Sequence, residues 1–290
     1  MQGRKLLLLA GQAVDGLGLG HHPLRRAGRA QTFREHRRYL AGDDLRHVDW
    51  HAVARTDALL LKVFEDEAPI RVELVLDTSG SMGFGDKLER ASVLATAIGQ
   101  VALGAGEEVG LSAVGAFEAG PARRQVVPAM GPGHLTALAE ALARCRCAGP
   151  TPLGPALMSL SHTLRRRSHL ILISDLLSGT EGLGQGLHKL AAQRHDVTVV
   201  QLLHPDERHL PDWGPAIWQG LEGENDTFGE GALMRPAYTA RLEAHLAHVQ
   251  QAVRQAGAAW VAGLSDAPTS RLLGEVLVAH GAKGRRVRRP

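Results

Sequence analysis

Residues 70–82 read I-R-V-E-L-V-L-D-T-S-G-S-M, and this stretch decides the fold of the chain. Its first half is a short, largely apolar run over residues 72–76, rich in aliphatic and β-branched side chains. Such a run is typical of a strand that is buried on both faces of a parallel sheet. Asp77 ends the run, and apolar residues with helical spacing resume over residues 87–104. A strand, a turn and a helix place Asp77 at the carboxyl end of a strand, where open α/β sheets bind ligands.

The turn after this strand carries side chains that suit a hard divalent cation. Asp77 offers a carboxylate, and Ser79 and Ser81 offer hydroxyls at alternate positions, so the three side chains can converge on one point. Oxygen donors of this kind bind magnesium, manganese and calcium. The alternative is that Asp77 and the two serines only cap the next helix. The motif is short, and metal binding is favoured because two further loops support it.

The two further loops carry Thr151 and Asp175. Residues 169–174 form a second apolar strand that stops at Asp175, again a carboxylate at the carboxyl end of a strand. Burying such a carboxylate is costly unless it has a partner. Between the two strands, residues 149–155 read G-P-T-P-L-G-P, a proline-stiffened loop that presents Thr151 just before a helix. Capping of that helix is the alternative role for Thr151.

The rest of the chain alternates strands and helices, which indicates an α/β fold with a doubly wound, mostly parallel sheet and helices on both faces. We expect the strands at 72–76, 170–174 and 197–203 to lie side by side. An irregular excursion over residues 204–231 is expected to contain one edge strand near Ile217. The other predicted elements are a hairpin of residues 108–114 with 123–127, helices at 135–145, 156–166, 183–192, 238–255 and 270–280, and a strand at 260–264.

The first 68 residues are predicted to be separate from the main domain, which covers residues 69–282 and is followed by a basic tail, 283–290. Residues 1–30 combine Gly, His and Arg with little periodicity, so we expect a weakly structured arm. Residues 33–67 alternate charges of both signs, which favours a folded subdomain with internal ion pairs over a phosphate-binding patch. The charged and aromatic residues of this block are candidates for structural or partner-contacting roles: Arg37, Arg38, Asp43, Asp44, Arg46, Asp49, Trp50 and Arg55.

Two blocks of the sequence resemble known families. V-L-D-T-S-G-S-M, residues 75–82, is similar to the first metal-binding loop of a von Willebrand factor A domain, which forms a metal-ion-dependent adhesion site. R-R-Y-L-A-G-D-D-L-R-H-V-D-W-H-A-V-A-R, residues 37–55, and L-L-L-K-V-F-E-D-E, residues 59–67, resemble domain-of-unknown-function family fifty-eight. Its members are bacterial proteins usually encoded beside MoxR-type AAA+ ATPases. The resemblance runs from about residue 33 through the C-terminal helix.

The resemblance implies a von Willebrand factor A-like fold with a small N-terminal appendage, and it implies a ligand set. Thr151 lies where the second loop of that pattern donates a threonine, and Asp175 is the third-loop residue, reaching the ion directly or through water. Thr136 is the alternative threonine, less suitable because it opens a helix. The implied cation is Mg²⁺ or Mn²⁺, with Ca²⁺ as a further candidate. The implied metal ligands are Asp77, Ser79, Ser81, Thr151 and Asp175.

These features favour a metal-dependent protein-interaction module over an enzyme. Because Asp77 is the only carboxylate of the first loop, a bound cation keeps positive charge for an acidic side chain of a partner. The resemblance makes that partner a MoxR-type AAA+ ATPase or one of its clients. The alternative is a metal-dependent hydrolase, although the loops carry no neighbouring general base and the chain has no P-loop motif. Thirty-three basic against 30 acidic residues give a net charge of only +3, which is no evidence for nucleic-acid binding, and this third alternative rests on the basic tail and the arginine-rich N-terminal arm alone.

The sequence predicts a cytoplasmic protein. The apolar run near the N-terminus is too short for the core of a signal peptide, and no segment has the apolar length of a membrane span. Cys145 and Cys147 are separated by one residue, which is poor geometry for a disulfide bond, so reduced structural thiols are expected.

Overall fold

The computed structural model describes residues 2–18, 32–40, 44, 48–56, 58–65, 70–118, 120–165 and 167–284. It divides into two compact units, one formed by residues 1–21 with 70–290 and the other by residues 22–69. The helices are α1 (Gln2–Asp15), α2 (Trp50–Thr56), α3 (Lys87–Gly104), α4 (His134–Arg144), α5 (Leu153–Thr163), α6 (Leu183–Ala192), α7 (Pro205–Arg208), α8 (Gly231–Gln255) and α9 (Thr269–Gly284). The strands are β1 (Thr32–Arg38), β2 (Leu60–Glu65), β3 (Arg71–Asp77), β4 (Glu108–Phe117), β5 (Gly120–Ala129), β6 (Ser168–Ser174), β7 (Asp196–Leu203), β8 (Pro215–Trp218), β9 (Thr227–Glu230) and β10 (Ala259–Leu264).

A six-stranded sheet with the order β10-β7-β6-β3-β4-β5 forms the centre of the larger unit. All neighbouring strands are parallel except β5, which pairs antiparallel with β4 as a hairpin. The predicted neighbours β3, β6 and β7 lie side by side, which confirms the expected arrangement of the three apolar strands. The α/β fold with a mostly parallel sheet and flanking helices is therefore also confirmed.

Side chains that alternate along the strands supply two separate cores, one on each face of the sheet. On β3, Leu74 and Leu76 pack in the core that includes residues of α1, α3, α4 and α9. Val75 between them packs in the other core, with residues of α5, α6 and α8. Because both faces are covered, the strands are apolar almost throughout.

Glu73 interrupts the apolar pattern of β3 but is completely buried. Ser112 on β4 donates a hydrogen bond from Oγ to Oε1 of Glu73 at 2.6 Å, and Arg124 on β5 lies 3.5 Å from Oε2. Burial raises the pKa of the Glu73 carboxyl, although Ser112 and Arg124 oppose that change. An acidic residue inside a buried strand is thus accommodated by partners on the neighbouring hairpin.

The N-terminal segment differs from the weakly structured arm that the sequence predicted. Residues 2–15 form α1, and residues 1–21 group with the larger unit. Leu6, Ala10, Ala13 and Val14 lie on one helical face and are buried in the sheet's first core. The sequence does not show the apolar side of this helix clearly, because glycines and basic residues surround it. The prediction of an arm is wrong for residues 2–15.

The long excursion after β7 also differs from its prediction. β8 lies at the predicted position near Ile217, but it pairs antiparallel with β9 in a separate two-stranded sheet and is not an edge strand of the central sheet. α8 begins at Gly231 and continues through Pro236, whereas the sequence indicated a start at residue 238. Two hydrogen bonds hold this first part of the helix: Arg235 Nε donates to the Leu210 carbonyl, and the Tyr238 hydroxyl donates to the Glu207 carbonyl.

The smaller unit contains the antiparallel pair β1 and β2 together with the short helix α2. Asp49 precedes α2, and its Oδ1 accepts hydrogen bonds from the backbone N–H groups of His51 and Ala52. Its Oδ2 lies 2.9 Å from Nε2 of His36 on β1. These contacts agree with a folded subdomain held partly by internal polar pairs.

Candidate metal centre

Asp77 and Asp175 lie at the point where the winding of the sheet reverses. The chain leaves β3 towards β4 and β5 on one side, then returns to form β6, β7 and β10 on the other side. Asp77 is the last residue of β3, and Asp175 directly follows β6, the neighbouring parallel strand. In open α/β sheets this reversal creates a crevice at the carboxyl ends of the strands, which is the usual place for a ligand.

Asp77 is 2% exposed, and both of its carboxylate oxygens accept hydrogen bonds. The Ser79 backbone N–H donates to Oδ1 at 2.9 Å, and the Ser174 hydroxyl donates to Oδ2 at 2.6 Å. Burial, followed by the nearby negative charge of Asp175, raises the pKa of Asp77 to about 6. A positive charge at this position would stabilise the ionised carboxylate.

Ser79 and Ser81 direct their hydroxyls towards each other. Both side chains are buried, and their Oγ atoms are 3.1 Å apart. Thr78 between Asp77 and Ser79 faces β4, where its hydroxyl donates to the Val114 carbonyl at 2.8 Å. The helix α3 begins only at Lys87 and has Asp86 as its N-cap residue, so the turn does not serve as a simple cap for α3.

Thr151 reaches the same crevice from the loop before α5. The Gly80 N–H donates to the Gly149 carbonyl at 2.8 Å, and this bond ties the second loop to the first. Thr151 is 1% exposed, and its Oγ1 has no hydrogen-bond partner among the described residues. This hydroxyl nevertheless lies near enough to Asp77 to help lower the pKa of that carboxyl. The N-cap residue of α5 is Pro152, so Thr151 does not fill that position.

Thr136, the alternative second-loop threonine, lies on α4 and is exposed. Its helix packs on the face of the sheet opposite to α5. The structure therefore brings Thr151, and not Thr136, into the crevice with Asp77.

Asp175 is buried but already has strong partners. Lys87, the first residue of α3, donates from Nζ to Oδ2 of Asp175 at 2.6 Å and to Oε1 of Glu207 at 2.5 Å. The backbone N–H of Leu177 donates to Oδ1 of Asp175 at 3.1 Å. Asp175 thus resembles Asp77 in that both of its carboxylate oxygens accept hydrogen bonds, and it differs in that one of the donors is a charged ammonium group.

Lys87 and Glu207 also lie at this edge, where the Lys87 ammonium balances part of the negative charge, although no sequence pattern indicated them. The Lys87 side chain is completely buried, and Glu207 is 12% exposed. Burial raises the pKa of Glu207, while the Lys87 ammonium opposes that change. The Lys87 ammonium contacts Asp175 and Glu207, and Asp77 lies near Asp175, so these four groups carry two unbalanced negative charges when all three carboxylates are ionised.

Glu222 is a third residue that the sequence analysis missed. It lies in the connection between β8 and β9, and its carboxylate reaches the first and third loops. The Ser81 N–H donates to Oε1 at 3.3 Å, and the Ser178 hydroxyl donates to Oε2 at 2.5 Å.

The donor set fits a hard cation. In the part of the chain that the structure describes, no group of three or more His, Cys, Asp and Glu side chains is arranged to hold a metal ion. A centre here therefore depends on hydroxyl oxygens together with Asp77 and Asp175. The buried Thr151 hydroxyl without a partner and the desolvated Asp77 carboxylate both gain from a bound cation, so the residues present fit Mg²⁺ or Mn²⁺.

The candidate partner-contacting residues lie in the smaller unit and are described separately from this centre. Arg37 and Arg38 are on β1, and Trp50 and Arg55 are on α2; these four residues are exposed, as is Asp44. Asp49 is half-buried and is engaged with α2 and His36. Asp43 and Arg46 lie outside the described residues.

Comparisons with known proteins agree with this architecture. The sequence profile of the family described as "Protein of unknown function DUF58" matches residues 35–248. The uncharacterized protein Mb1516 of Mycobacterium bovis is 30% identical over 264 residues, which cover 88% of this chain and 81% of that protein. The conserved hypothetical protein BatB of Bacteroides thetaiotaomicron has a similar structure, with 16% identity, a TM-score of 0.50, and coverage of 73% of this chain and 99% of that chain. The VWA domain of SpRpn10 matches with 12% identity, a TM-score of 0.43, and coverage of 72% and 95%.

The structural likeness at this identity shows the fold alone, which is von Willebrand factor A-like as the sequence predicted. None of the helices in the described ranges is both long enough and apolar enough to cross a membrane.

Proposed function

The chain belongs to the DUF58 family, and from this premise we propose that it is a metal-dependent protein-interaction module. We propose further that it works with a MoxR-type AAA+ ATPase, or with a client of that ATPase, in assembling or remodelling protein complexes. The von Willebrand factor A-like fold is compatible with protein interaction. We place the module in the cytoplasm, and the two free thiols of Cys145 and Cys147 support that location.

The observation that carries the proposal is the buried hydroxyl of Thr151. A buried polar group without a hydrogen bond costs free energy, and coordination of a cation would offset that cost. This hydroxyl lies beside Asp77, whose carboxylate is desolvated, and the Ser79 and Ser81 hydroxyls belong to the same turn. Four oxygen donors from two loops are thus available at an edge where carboxylates outnumber the ammonium group of Lys87.

Asp77, Ser79, Ser81 and Thr151 would hold the cation, with Asp175 held back by Lys87 as an outer partner. The bound ion would supply positive charge that these few carboxylates do not neutralise fully, and this charge attracts an acidic side chain. The protein's own residues fix the loops: Ser174 orients Asp77, and the bond from Gly80 to Gly149 joins the first loop to the second.

Manganese titration calorimetry tests the metal site with matched variants. We expect Asp77→Ala to weaken Mn²⁺ binding at least about 100-fold, because it removes a charged ligand. We expect Thr151→Val to weaken it about tenfold, because it removes one neutral hydroxyl. Each factor of ten corresponds to about 1.4 kcal/mol. The controls are Asp196→Ala, at the amino end of β7, and Thr136→Val, on the exposed face of α4. Both controls should bind Mn²⁺ like the wild type.

Unchanged Mn²⁺ affinity in Asp77→Ala would show that the cation binds elsewhere or not at all. Equal losses of Mn²⁺ affinity in Thr151→Val and Thr136→Val would mean that Thr151 is not a specific ligand of the cation. The main support for the site would then be removed.

A further inference from the structure

The connection between β8 and β9 lies directly on the first loop of the candidate centre. A Cβ atom added to Gly80 would lie 2.0 Å from the carbonyl oxygen of Leu221, so only a glycine allows this approach. The next residue in the connection, Glu222, accepts hydrogen bonds from the Ser81 N–H and the Ser178 hydroxyl. One carboxylate therefore links the loop of Asp77 to the loop of Asp175.

The turn of the connection fixes Glu222 beside the first and third loops. The Glu222 N–H donates to Oε2 of Glu224 at 2.9 Å, which fixes the turn locally. A Cβ atom on Gly220 would lie 2.2 Å from the Glu224 carbonyl oxygen, so the turn also closes tightly on itself. These contacts orient a half-buried glutamate towards Ser81, one of the predicted metal ligands.

The position of Glu222 adds negative charge to an edge that already carries an excess of it. The edge already holds Asp175 and Glu207 in contact with the Lys87 ammonium group, and Asp77 ends the neighbouring strand β3. Bringing another carboxylate to an edge with excess negative charge is unfavourable by Coulomb's law. A divalent cation between them would reverse the sign of that interaction, because the carboxylate would then face positive charge.

The β8–β9 hairpin is suited to leaving this position. It is a two-stranded sheet separate from the central sheet, and two strands give little stability of their own. Ile217 and Phe228, which face each other across the two strands, are 66% and 75% exposed, so they add little burial to hold the hairpin in place.

We propose that Glu222 is an acidic ligand that the protein supplies to its own metal centre, taking the coordination position that the proposed function leaves for a partner's carboxylate. The proposal rests on that proposed function, since it requires a cation held by the first and second loops. It adds that a partner must displace the β8–β9 connection before its own acidic side chain can bind.

Manganese bound to the full-length protein provides the test. Electron paramagnetic resonance of free Mn²⁺ gives the affinity, and water-proton relaxation reports how much water contacts the bound ion. We expect Glu222→Gln to weaken Mn²⁺ binding about tenfold, equivalent to about 1.4 kcal/mol, and to increase the relaxation enhancement because water replaces the carboxylate. The control is Asp226→Asn, which removes one carboxylate from the same exposed connection and should behave like the wild type.

Added acetate provides a second test of the coordination position proposed for Glu222. In Glu222→Gln, added acetate should lower the relaxation enhancement by replacing the new water, whereas the wild type should not respond. Equal affinity and equal relaxation in Glu222→Gln and Asp226→Asn would overturn the role of Glu222 while leaving the metal site intact. Absence of Mn²⁺ binding in the wild type would overturn the proposed function itself, and the ligand role with it.

Discussion

Lys87 is a completely buried lysine whose ammonium group contacts two carboxylates at the edge of the candidate centre. Removing a charge from water costs several kcal/mol, and this cost is offset only where the charge is paired and hydrogen-bonded. Asp175 and Glu207 supply both requirements, since each accepts a short hydrogen bond from Nζ. The lysine thereby fixes Asp175 and joins the start of α3 to α7.

We expect Lys87→Met to lower the free energy of unfolding by about 3–5 kcal/mol, because it leaves two carboxylates buried without their cation. The control is Lys5→Met, which removes an exposed ion pair with Glu89 and should cost less than about 1 kcal/mol. Urea unfolding of both variants measures the difference. The double variant Lys87→Met/Asp175→Asn should recover part of the loss, and a loss in Lys87→Met no larger than in Lys5→Met would contradict this account.

The sequence could locate the candidate ligands but not the residues that surround them. Each candidate ligand lies at the end of a strand or helix that the apolar pattern predicts. Asp77 ends β3, Asp175 follows β6, and Thr151 precedes α5. Lys87 reaches Asp175 across 88 positions, and Ser81 reaches Glu222 across 141. No local periodicity encodes such contacts, and a lysine at the first turn of a helix normally indicates a solvated position.

At the scale of elements, the central strands were predictable because each is a short apolar run that ends at a polar residue. The helix α1 and the hairpin of β8 and β9 were not. The apolar stripe of α1 is narrow and includes alanines, and the pairing of β8 with β9 depends on a connection rich in glycine and acids. Both elements are defined by what they pack against, which a single sequence does not show.

The packing of α1 leads to a prediction with a control on the same helix. Leu6 is 5% exposed in the sheet's first core, whereas Leu8 is 65% exposed. Leu6→Ala should therefore lower the free energy of unfolding by about 2–5 kcal/mol, the usual range for truncating a buried leucine. Leu8→Ala should change it by no more than about 0.5 kcal/mol. Equal stability of the two variants in urea unfolding would mean that α1 does not contribute to the core.

At the scale of the whole molecule, the winding of the sheet explains why one crevice collects the candidate ligands. The first loop follows β3, and the third loop follows β6, its neighbour on the other side of the reversal. The second loop comes from the segment that crosses between the two halves of the sheet, just before α5. The crevice is therefore bordered by both halves of the sheet.

The proposed function leads to a binding test that distinguishes an interaction module from an enzyme. Complex formation with a MoxR-type AAA+ ATPase or its client should require the metal, and Asp77→Ala and Ser79→Ala should each weaken it at least about 100-fold, or about 2.7 kcal/mol. The fold should persist in both variants, because neither side chain belongs to the apolar cores. Surface-bound ATPase titrated with the purified protein in Mg²⁺ and in EDTA measures the effect, with Asp196→Ala as the control.

The same protein preparations distinguish a cation that serves protein recognition from a cation that serves hydrolysis. A metal that serves recognition leaves the purified protein without phosphatase, nuclease or peptidase turnover above background, and a hydrolytic rate that disappears in Asp77→Ala would replace the interaction module by a hydrolase. If binding persists in EDTA, the partner contacts a surface of the protein other than the metal site. The exposed side chains of the smaller unit would then be the next to test, and Arg37→Ala, Arg38→Ala and Arg55→Ala should reduce capture where changes at Asp77 do not.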